Sequence, residues 1–197
     1  MDYNEITVTA QIRVKSFPNA NVISHNYNQG ILIVEGSSAE IIANEIKHNI
    51  KANVALGGKE TGKTRIMYNY IKHSKSGEGI FVVEGEKDLL IEDNYIEHNQ
   101  DGVVIVNSDG KIKNNILNSN TRSGVLSAGK STASVINNVI EESNTGVLIK
   151  DPSELILRKN HIQKNNIQVE MEKKSAKKFW NTYYKENPGI VGASTIP

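Results

Sequence analysis

Four histidines stand at nearly regular intervals in the first half of the chain: His25, His48, His73 and His98. Each lies four residues after an Asn, so in a stack of repeats the rings are expected on consecutive rungs, about 5 Å apart. Neutral imidazoles at that distance can bind a soft divalent metal ion, and protonated ones repel one another near pH 6. Duplication of an exposed turn position explains the column most simply, ahead of contact with a ligand or partner. A metal ranks last, because a linear stack does not offer tetrahedral geometry to one ion.

Two tyrosines share another column of the repeat. Tyr70 and Tyr95 each follow an Asn directly, on neighbouring rungs, and Tyr68 lies close by. Outward-facing tyrosines stacked in this way would form a flat platform for a sugar or a peptide. The simpler alternative is that these rings pack under a loop.

Carboxylates recur at the turns, where they could line a catalytic groove. Glu78 and Asp101 both precede the turn Gly on adjacent rungs, and the spacing allows Asp88 and Asp109 to form a second pair. A glycosidase needs two carboxylates about 5 Å or roughly 6.5–9.5 Å apart. Neither pair has an aligned Arg or Lys. We therefore interpret these carboxylates as turn-forming or solubilising residues, with a binding site as the alternative.

A short segment, residues 57–64, matches the phosphate-loop pattern G-x-x-x-x-G-K-T residue for residue. That motif holds phosphates only when the N-terminus of a helix follows the loop. Here residues 65–71 fit the next rung of the repeat, so a strand is expected in place of the helix. The sequence therefore predicts no nucleotide site.

The elements that must position these residues are copies of one repeat, 21 to 25 residues long. Each copy starts with an Asn, which has an aliphatic residue three positions before it and an apolar residue two positions after it. A second small polar residue follows at five positions, and a turn residue, usually Gly, at eight to ten. The first Asn of the copies falls at Asn21, Asn44, Asn69, Asn94, Asn115, Asn138, Asn160 and Asn181. A period of roughly 20 to 50 residues indicates stacked supersecondary units.

Each repeat contains three short apolar runs ended by Asn, Ser or Gly, which is typical of a coil of three strands and three turns. Stacked coils pair each strand in parallel with its copy, about 4.8 Å away, and allow inward-facing Asn side chains to form a ladder of hydrogen bonds. The predicted fold is all-β, a single parallel solenoid of about eight coils of 20–25 residues. The longest insertions, residues 57–64 and 84–88, are expected on one face.

The pattern Asn-x-Ile-x-x-Asn-x-x-Gly-Val-x-Ile, clearest at residues 94–105 and 138–149, resembles the right-handed parallel β-helix repeat of the pectate-lyase-like superfamily. Within that superfamily it is most similar to the carbohydrate-binding-and-sugar-hydrolase repeats of periplasmic copper-maturation proteins and of F-box and SHC-binding proteins. The resemblance covers about residues 18–190 and implies a right-handed coil. It also implies that related lyases use Asp-bound calcium and a basic proton acceptor. It does not define a function for this chain, because the repeated residues are structural.

The composition limits the classes of function. With 23 basic and 22 acidic residues the net charge is +1, so no global field favours nucleic acid or anionic lipid. The absence of Cys excludes disulfide and thiolate chemistry. No stretch approaches the roughly 18 apolar residues of a membrane span, and residues 1–5 lack the features of a secretory signal. A cytoplasmic location is therefore expected.

These features together predict a non-catalytic recognition or scaffolding module that binds a protein, with carbohydrate as the second ligand class. No cofactor, metal, nucleotide, nucleic acid or membrane partner is expected, and the chain is expected to belong to a larger protein or complex. Residues 1–17 would form an N-terminal strand or cap, residues 18–178 the coils, and residues 179–197 a terminal aromatic rung and tail. The alternative function is a polysaccharide lyase, hydrolase or epimerase acting on an acidic glycan. The predicted binding residues are His25, His48, His73, His98, Tyr70, Tyr95, Glu78 and Asp101.

Overall fold

The computed structural model describes residues 6–8, 12–15, 21–34, 37–58, 63–84, 88–150, 152–172, 187 and 194–195, and strands dominate these ranges. In chain order the strands are β1 (Ile6–Val8), β2 (Ile12–Lys15), β3 (Asn21–Ser24), β4 (Ile31–Ile33), β5 (Ala39–Ile42), β6 (Asn44–Lys47), β7 (Val54–Gly57), β8 (Thr64–Met67), β9 (Tyr70–Lys72), β10 (Ile80–Val83), β11 (Leu89–Glu92), β12 (Tyr95–Glu97), β13 (Asp101–Val106), β14 (Asp109–Lys113), β15 (Ile116–Asn118), β16 (Ser123–Ala128), β17 (Thr132–Ile136), β18 (Val139–Glu141), β19 (Thr145–Ile149), β20 (Glu154–Arg158), β21 (His161–Gln163), β22 (Ile167–Met171) and β23 (Ser194–Thr195). Within the described ranges, the structure contains no helix long and apolar enough to span a bilayer.

The strands form three sheets, and every pairing joins a strand in parallel to its equivalent in the next coil. The first sheet has the order β1-β4-β7-β10-β13-β16-β19-β22-β23, the second β2-β5-β8-β11-β14-β17-β20, and the third β3-β6-β9-β12-β15-β18-β21. The pairing stays in step along the stack. For example, Ile91 pairs with Ile66 on one side and with Ile112 on the other. The chain thus visits the second, third and first sheets in turn, which confirms the predicted parallel solenoid.

The number of coils is slightly smaller than the eight predicted. The second and third sheets each contain seven strands within the described residues. The eighth predicted repeat start, Asn181, lies outside the described residues, as do the aromatic residues of the predicted terminal rung. At the other end, β1 and β2 pair in parallel with β4 and β5, so the N-terminal strands extend the stack.

The core is a column of aliphatic side chains that runs along the axis of the stack. Each coil contributes residues from all three sheets, such as Ile91, Ile96 and Ile105, which have no exposed surface. Buried and more exposed positions alternate along strands such as β11 and β20, whereas β13 and β16 of the first sheet are buried at five of their six positions. Burial of each large aliphatic side chain contributes about 1.5–3 kcal/mol. The aliphatic positions three before and two after the ladder Asn are confirmed as core wherever they are described.

Each coil turns two corners through residues other than Gly that have a positive φ, and a buried polar side chain follows each of them. The corner between the second and third sheets contains Asp93 (φ 54°) before Asn94, and the corner after the third sheet contains His98 (φ 53°) before Asn99. A left-handed conformation costs a residue with a β-carbon about 1–2 kcal/mol. The hydrogen bonds of the following Asn offset this cost, because they tie the corner to both neighbouring coils.

The first ladder of Asn side chains follows the predicted positions with one correction. Asn94 Oδ1 accepts hydrogen bonds from both the backbone N and the Nδ2 of Asn69, each 3.0 Å long. At the end of the described ladder, Asn160 donates in the same two ways to Asn187 Oδ1. The prediction that Asn181 follows Asn160 was therefore wrong. The interval is 27 residues, which regular spacing does not reveal.

A second ladder runs along the other corner and is repaired where its Asn is missing. Ser74 stands where the neighbouring coils have Asn49 and Asn99, and its side chain is too short to bridge them. Asn53, which occupies the usual turn Gly position, fills this space: its Oδ1 accepts from Asn49 Nδ2 (2.8 Å), and its Nδ2 donates to Asn99 Oδ1 (3.0 Å). The two departures from the repeat therefore compensate each other.

Candidate functional site

The four histidines of the predicted column form one stack on the corner that follows the third sheet. Their ring centroids are 5.2, 5.1 and 5.0 Å apart in the order His25, His48, His73 and His98. The last three rings are nearly parallel, with interplanar angles of 8° and 9°, whereas the first pair is tilted by 33°. The predicted stacking on consecutive rungs is confirmed. We name these four residues the His stack.

The backbone fixes the position of the His stack. All four residues have φ between 52° and 61°. Each of them precedes a buried residue of the second ladder. His is among the residues that adopt this conformation more readily than most. The next coils place Ser119, Glu142 and Lys164 at the same corner, also with positive φ. The corner therefore requires the backbone conformation, and it accepts several side chains other than imidazole.

The two inner rings of the stack favour the neutral state. Burial, followed by the neighbouring imidazoles, lowers the pKa of His48. The pKa of His73 is lowered in the same way, by burial first and by His98 next, although the carboxylate of Glu97 acts in the opposite direction. At neutral pH these two rings are therefore uncharged, and they acquire charge only in a more acidic solution than an isolated His requires.

The two predicted tyrosines meet on the outer face of the third sheet, beside the His stack. Tyr70 and Tyr95 are paired in register on β9 and β12, with ring centroids 5.3 Å apart and an interplanar angle of 76°. This edge-to-face arrangement is favourable for aromatic rings. It does not form the flat platform that the sequence suggested, because the two ring faces point in different directions.

A network of polar contacts joins the tyrosines to the His stack, and its central residue, Glu97, was not predicted. The Tyr70 hydroxyl donates to Glu97 Oε1, and this bond, with burial as the second cause, raises the pKa of Tyr70 to about 12. Glu97 Oε2 lies 3.8 Å from Nε2 of His98. Lys72 Nζ lies 3.7 Å from the centre of the Tyr70 ring and 3.3 Å from Oε1 of Glu45. The face is thus rigid and its charges are balanced.

Apolar side chains are exposed on the same face, in the column that contains the tyrosines. Val22 is 56% exposed, Tyr95 36% and Ile116 39%. The register places Tyr95 beside Ile116, and Val139 follows Ile116 in the next coil. Tyr95 and Ile116 thus form a short exposed strip of aromatic and aliphatic side chains next to the polar network.

The predicted carboxylates lie elsewhere: Glu78 and Asp101 at the start of strands of the first sheet, and Asp88 and Asp109 at the start of strands of the second. Asp101 is fully buried and binds the guanidinium of Arg122, whose Nε is 2.9 Å from Oδ1 and whose Nη2 contacts Oδ2. Asp88 is likewise paired, with Arg65 Nη2 at 3.2 Å. Each pair therefore has a basic partner, although neither Arg is aligned with the carboxylate that it contacts, because Asp101 pairs with Ser123 and Arg65 pairs with Leu90.

Asp101 and Glu78 play different roles in this cluster. The hydroxyl of Ser123 also donates to Asp101 Oδ1, so both carboxylate oxygens of Asp101 have partners. Burial raises the pKa of Glu78, and the charge of Asp101 raises it further. Arg122 was missed because it precedes the residue that pairs with Asp101: the register aligns Asp101 with Ser123. Its side chain reaches across one rung, a direction that column alignment does not indicate.

A shallow cleft of about 520 Å³ continues the corner beyond the His stack. Its walls are polar, with the side chains of Ser119, Thr121, Glu142, Asn144 and Lys164 among them. Several of these side chains already bind one another: Ser119 Oγ donates to Glu142 Oε2 at 3.2 Å, and Lys164 Nζ lies 4.0 Å from Oε1 of Glu142. The cleft is therefore an open polar groove between successive corners.

Two further predictions can be compared with the structure. Thr64–Met67 is a strand, β8, so a strand follows the segment that matches the phosphate-loop pattern, as predicted. The insertions at residues 57–64 and 84–88 both connect the first sheet to the second, β7 to β8 and β10 to β11, so they leave the solenoid at the same corner. Both insertions follow strands of the first sheet, whereas the His stack follows strands of the third.

Repeated three-stranded coils, parallel pairing and two polar ladders define a parallel β-helix protein of the pectate-lyase-like type. Residues 5–109 match the family model described as the right-handed beta helix region, and residues 72–195 match that of NosD, described as a periplasmic copper-binding protein. Each match covers more than half of the 197 residues, so the chain belongs to both families, that of the right-handed beta helix region and that of NosD. No curated protein and no solved structure gave a match.

Proposed function

We propose that this chain is a non-catalytic recognition module and that it binds a partner protein through the outer face of the third sheet. The observation that carries the proposal is the exposed strip of Tyr95 and Ile116, which are neighbours in register, beside a face whose charged groups are already paired. Val22 lies in the same column, separated from Tyr95 by Glu45 and Tyr70. Tyr is among the residues that contribute most to protein interfaces. Because the neighbouring side chains are held by contacts across the coils, little conformational freedom is lost on binding.

Carbohydrate is less well supported as the ligand of this face. Sugar rings stack on exposed flat aromatic faces, which Tyr70 and Tyr95 do not offer. Their rings meet edge to face at 76°, and the ammonium of Lys72 lies over the ring of Tyr70 at 3.7 Å. Aliphatic side chains, such as that of Ile116, suit a protein surface better than a polyhydroxylated one.

The enzymatic alternative, action on an acidic glycan, would use the carboxylates at the start of the first sheet. Asp101 is the best placed of them, but its oxygens accept hydrogen bonds from Arg122 and Ser123. A carboxylate held in this way is poorly suited to take a proton from a substrate or to attack it. Glu78 retains a raised pKa, but a single acid does not provide the second carboxylate or base that glycoside hydrolysis needs.

The description of NosD as a copper-binding protein raises the question of whether this chain has a copper site. The sequence has no Cys. Among the described residues, no group of three or more His, Asp or Glu could hold a metal ion. The His stack does not fit either: its inner rings are parallel to within 9°, and ring nitrogens in parallel planes do not point at a common centre. The proposal therefore involves no metal.

The predicted cytoplasmic location stays a prediction. The description of the NosD family names the periplasm, and this favours a periplasmic location for the chain.

Differential capture tests the proposed function. The chain is immobilised and exposed to an extract of the organism that carries it, in three forms: unchanged, with Tyr95→Thr and Ile116→Thr, and with Ile156→Thr. Ile156 is a matched control, because it is 50% exposed on β20 of the second sheet. We expect a protein that is retained by the unchanged chain and by the control, and whose affinity falls at least tenfold with the two changes on the third sheet. Equal retention by all three forms would refute the proposal.

A further inference from the structure

The His stack has a property that the binding face itself does not have: its charge changes within the physiological pH range. Four imidazoles follow one another at 5.0–5.2 Å along one corner. His is the side chain whose ordinary pKa places its change of charge between about pH 5 and 8. The corner can therefore change from neutral to strongly cationic, whereas the remaining charged groups of the face keep their charge.

The charged groups that surround the stack come from each strand that leads into it. Lys47 and Lys72 precede His48 and His73, and Glu97 precedes His98. Both lysines contact Glu45, with Nζ–Oε1 distances of 2.9 Å for Lys47 and 3.3 Å for Lys72. Before His25, the neighbour is the neutral Ser24, whose Oγ is 3.0 Å from the ring Nδ1. Beyond the fourth ring, the corner continues with Ser119 and Glu142. At neutral pH both lysines are therefore paired with Glu45, Glu97 faces His98, and Glu142 lies 4.0 Å from Lys164 of the next corner.

Protonation of the stack adds positive charge along the whole corner, and the nearest carboxylate, that of Glu97, lies beside one end of the stack, 3.8 Å from His98 Nε2. Adjacent imidazolium rings about 5 Å apart repel each other, and the positive φ of each residue and the buried side chain that follows it keep the backbone of the four residues stacked coil on coil. The lowered pKa of His48 and His73 agrees with this geometry. An anionic group placed between two rings would be attracted to both of them and would reduce their repulsion.

We propose that the His stack is a proton-dependent docking ridge for an acidic polypeptide segment of the partner. The inference deepens the proposed function and rests on it for the choice of a protein partner. A polypeptide is favoured over an acidic polysaccharide because the ridge borders the exposed strip of Tyr95 and Ile116, which suits protein side chains. Binding of such a segment takes up protons, so acidic conditions strengthen it.

The test uses poly-L-aspartate as the probe, measured by isothermal titration calorimetry on the whole chain at pH 7.5 and 5.5. Aspartate remains charged at both values, and among ordinary side chains only His changes its charge between them. We expect at least tenfold tighter binding at pH 5.5, with net proton uptake when buffers of different ionisation enthalpy are compared. Equal affinity at the two pH values would overturn the inference.

Two variants locate the effect. His48→Asn with His73→Asn removes the inner rings, and Asn also accepts the positive φ of this corner. His161→Asn is the matched control, because His161 lies on β21, outside the stack. The control should keep the tenfold difference, whereas the double variant should lose most of it. If the double variant keeps the difference, another part of the chain binds the probe and the inference is wrong.

Two measurements keep the outcome interpretable. Circular dichroism at pH 7.5 establishes that the double variant is folded, and side-chain NMR signals of the four histidines should shift when the probe is added at pH 5.5. Heparin serves as the acidic polysaccharide, and tighter binding of heparin than of poly-L-aspartate to the unchanged stack would refute the choice of a polypeptide. Failure of these tests leaves the capture experiment unaffected, because that experiment depends on Tyr95 and Ile116.

Discussion

The compensation between Asn53 and Ser74 allows a quantitative test of how the second ladder is built. The Asn53 side chain makes three hydrogen bonds: to Asn49 Nδ2, to the carbonyl of Lys72 and to Asn99 Oδ1. Each contributes about 1 kcal/mol. Asn53→Gly is therefore expected to lower the free energy of unfolding by about 3 kcal/mol. It also leaves an empty space that the short side chain of Ser74 cannot fill.

The converse substitution, Ser74→Asn, puts a second amide into space that Asn53 already occupies. Overpacking of this kind costs about 1–3 kcal/mol. In the double variant the turn residue is Gly and the ladder residue is Asn, the combination found at Gly102 and Asn120. The double variant should therefore lie within about 1 kcal/mol of the unchanged chain. The expected interaction energy between the two sites is therefore roughly 3–6 kcal/mol.

The same Ser→Asn change elsewhere in the ladder is the matched control. Ser143 is also a buried Ser of the second ladder, but the preceding turn residue is Gly124, which leaves room for an amide. Ser143→Asn is expected to leave stability unchanged or to raise it by about 1 kcal/mol. Urea unfolding followed by circular dichroism measures all the variants. Additive effects of Asn53→Gly and Ser74→Asn, or equal effects of the two Ser→Asn changes, would refute the reasoning.

Three further predictions concern the turns, the His stack and the buried carboxylate. Gly102→Ala would bring a β-carbon to 2.5 Å from a carbonyl oxygen of the next coil, so it should lower the free energy of unfolding in urea by about 2–3 kcal/mol. In the control, Gly57→Ala, the β-carbon meets nothing closer than 3.4 Å, and the loss should be less than about 0.5 kcal/mol. Because His48 and His73 have lowered pKa values in the folded chain, the unfolded chain binds more protons below about pH 6.5. Thermal stability should therefore be highest above that pH and fall as the pH drops through it. The dependence of the melting temperature on pH should become weaker when both residues are replaced by Asn. Asp101→Asn keeps the shape but removes the charge that faces a half-exposed guanidinium, so we expect a loss of about 2 kcal/mol in urea unfolding; no loss would show that the ion pair does not stabilise the fold.

The fold could be predicted from the sequence because the inward positions tolerate few residue types. Asn94 has to satisfy the backbone N–H groups and carbonyls of a tight corner, and Ile96 has to fill a closed core, so both types recur at a fixed spacing. The register of parallel pairing then follows, and with it the stacking of the His column. The end of the ladder did not follow from spacing, because the step to Asn187 is longer than the other steps.

The candidate site could be predicted only in part, because its contacts depend on how far side chains reach across coils. Column alignment placed Tyr70 beside Tyr95, but it could not show that the Tyr70 hydroxyl reaches Glu97, which is 27 residues away and two positions further along the strand. The same limitation concealed the pairing of Asp101 with Arg122. Contacts between columns are a matter of rotamers and of side-chain length, which a repeat pattern does not contain.

The two neighbouring corner positions separate what the fold requires from what it only permits. Asn99 makes hydrogen bonds to the coils on both sides, and its replacement would leave buried polar groups without partners. The residue before it needs only a positive φ, and Ser119, Glu142 and Lys164 provide that in later coils without an imidazole. Four consecutive histidines at this position are therefore not required by the geometry of the solenoid. Because the fold does not require the imidazoles, and because they border Tyr95, the proposed binding role of the His stack can be tested by substitution without loss of the solenoid.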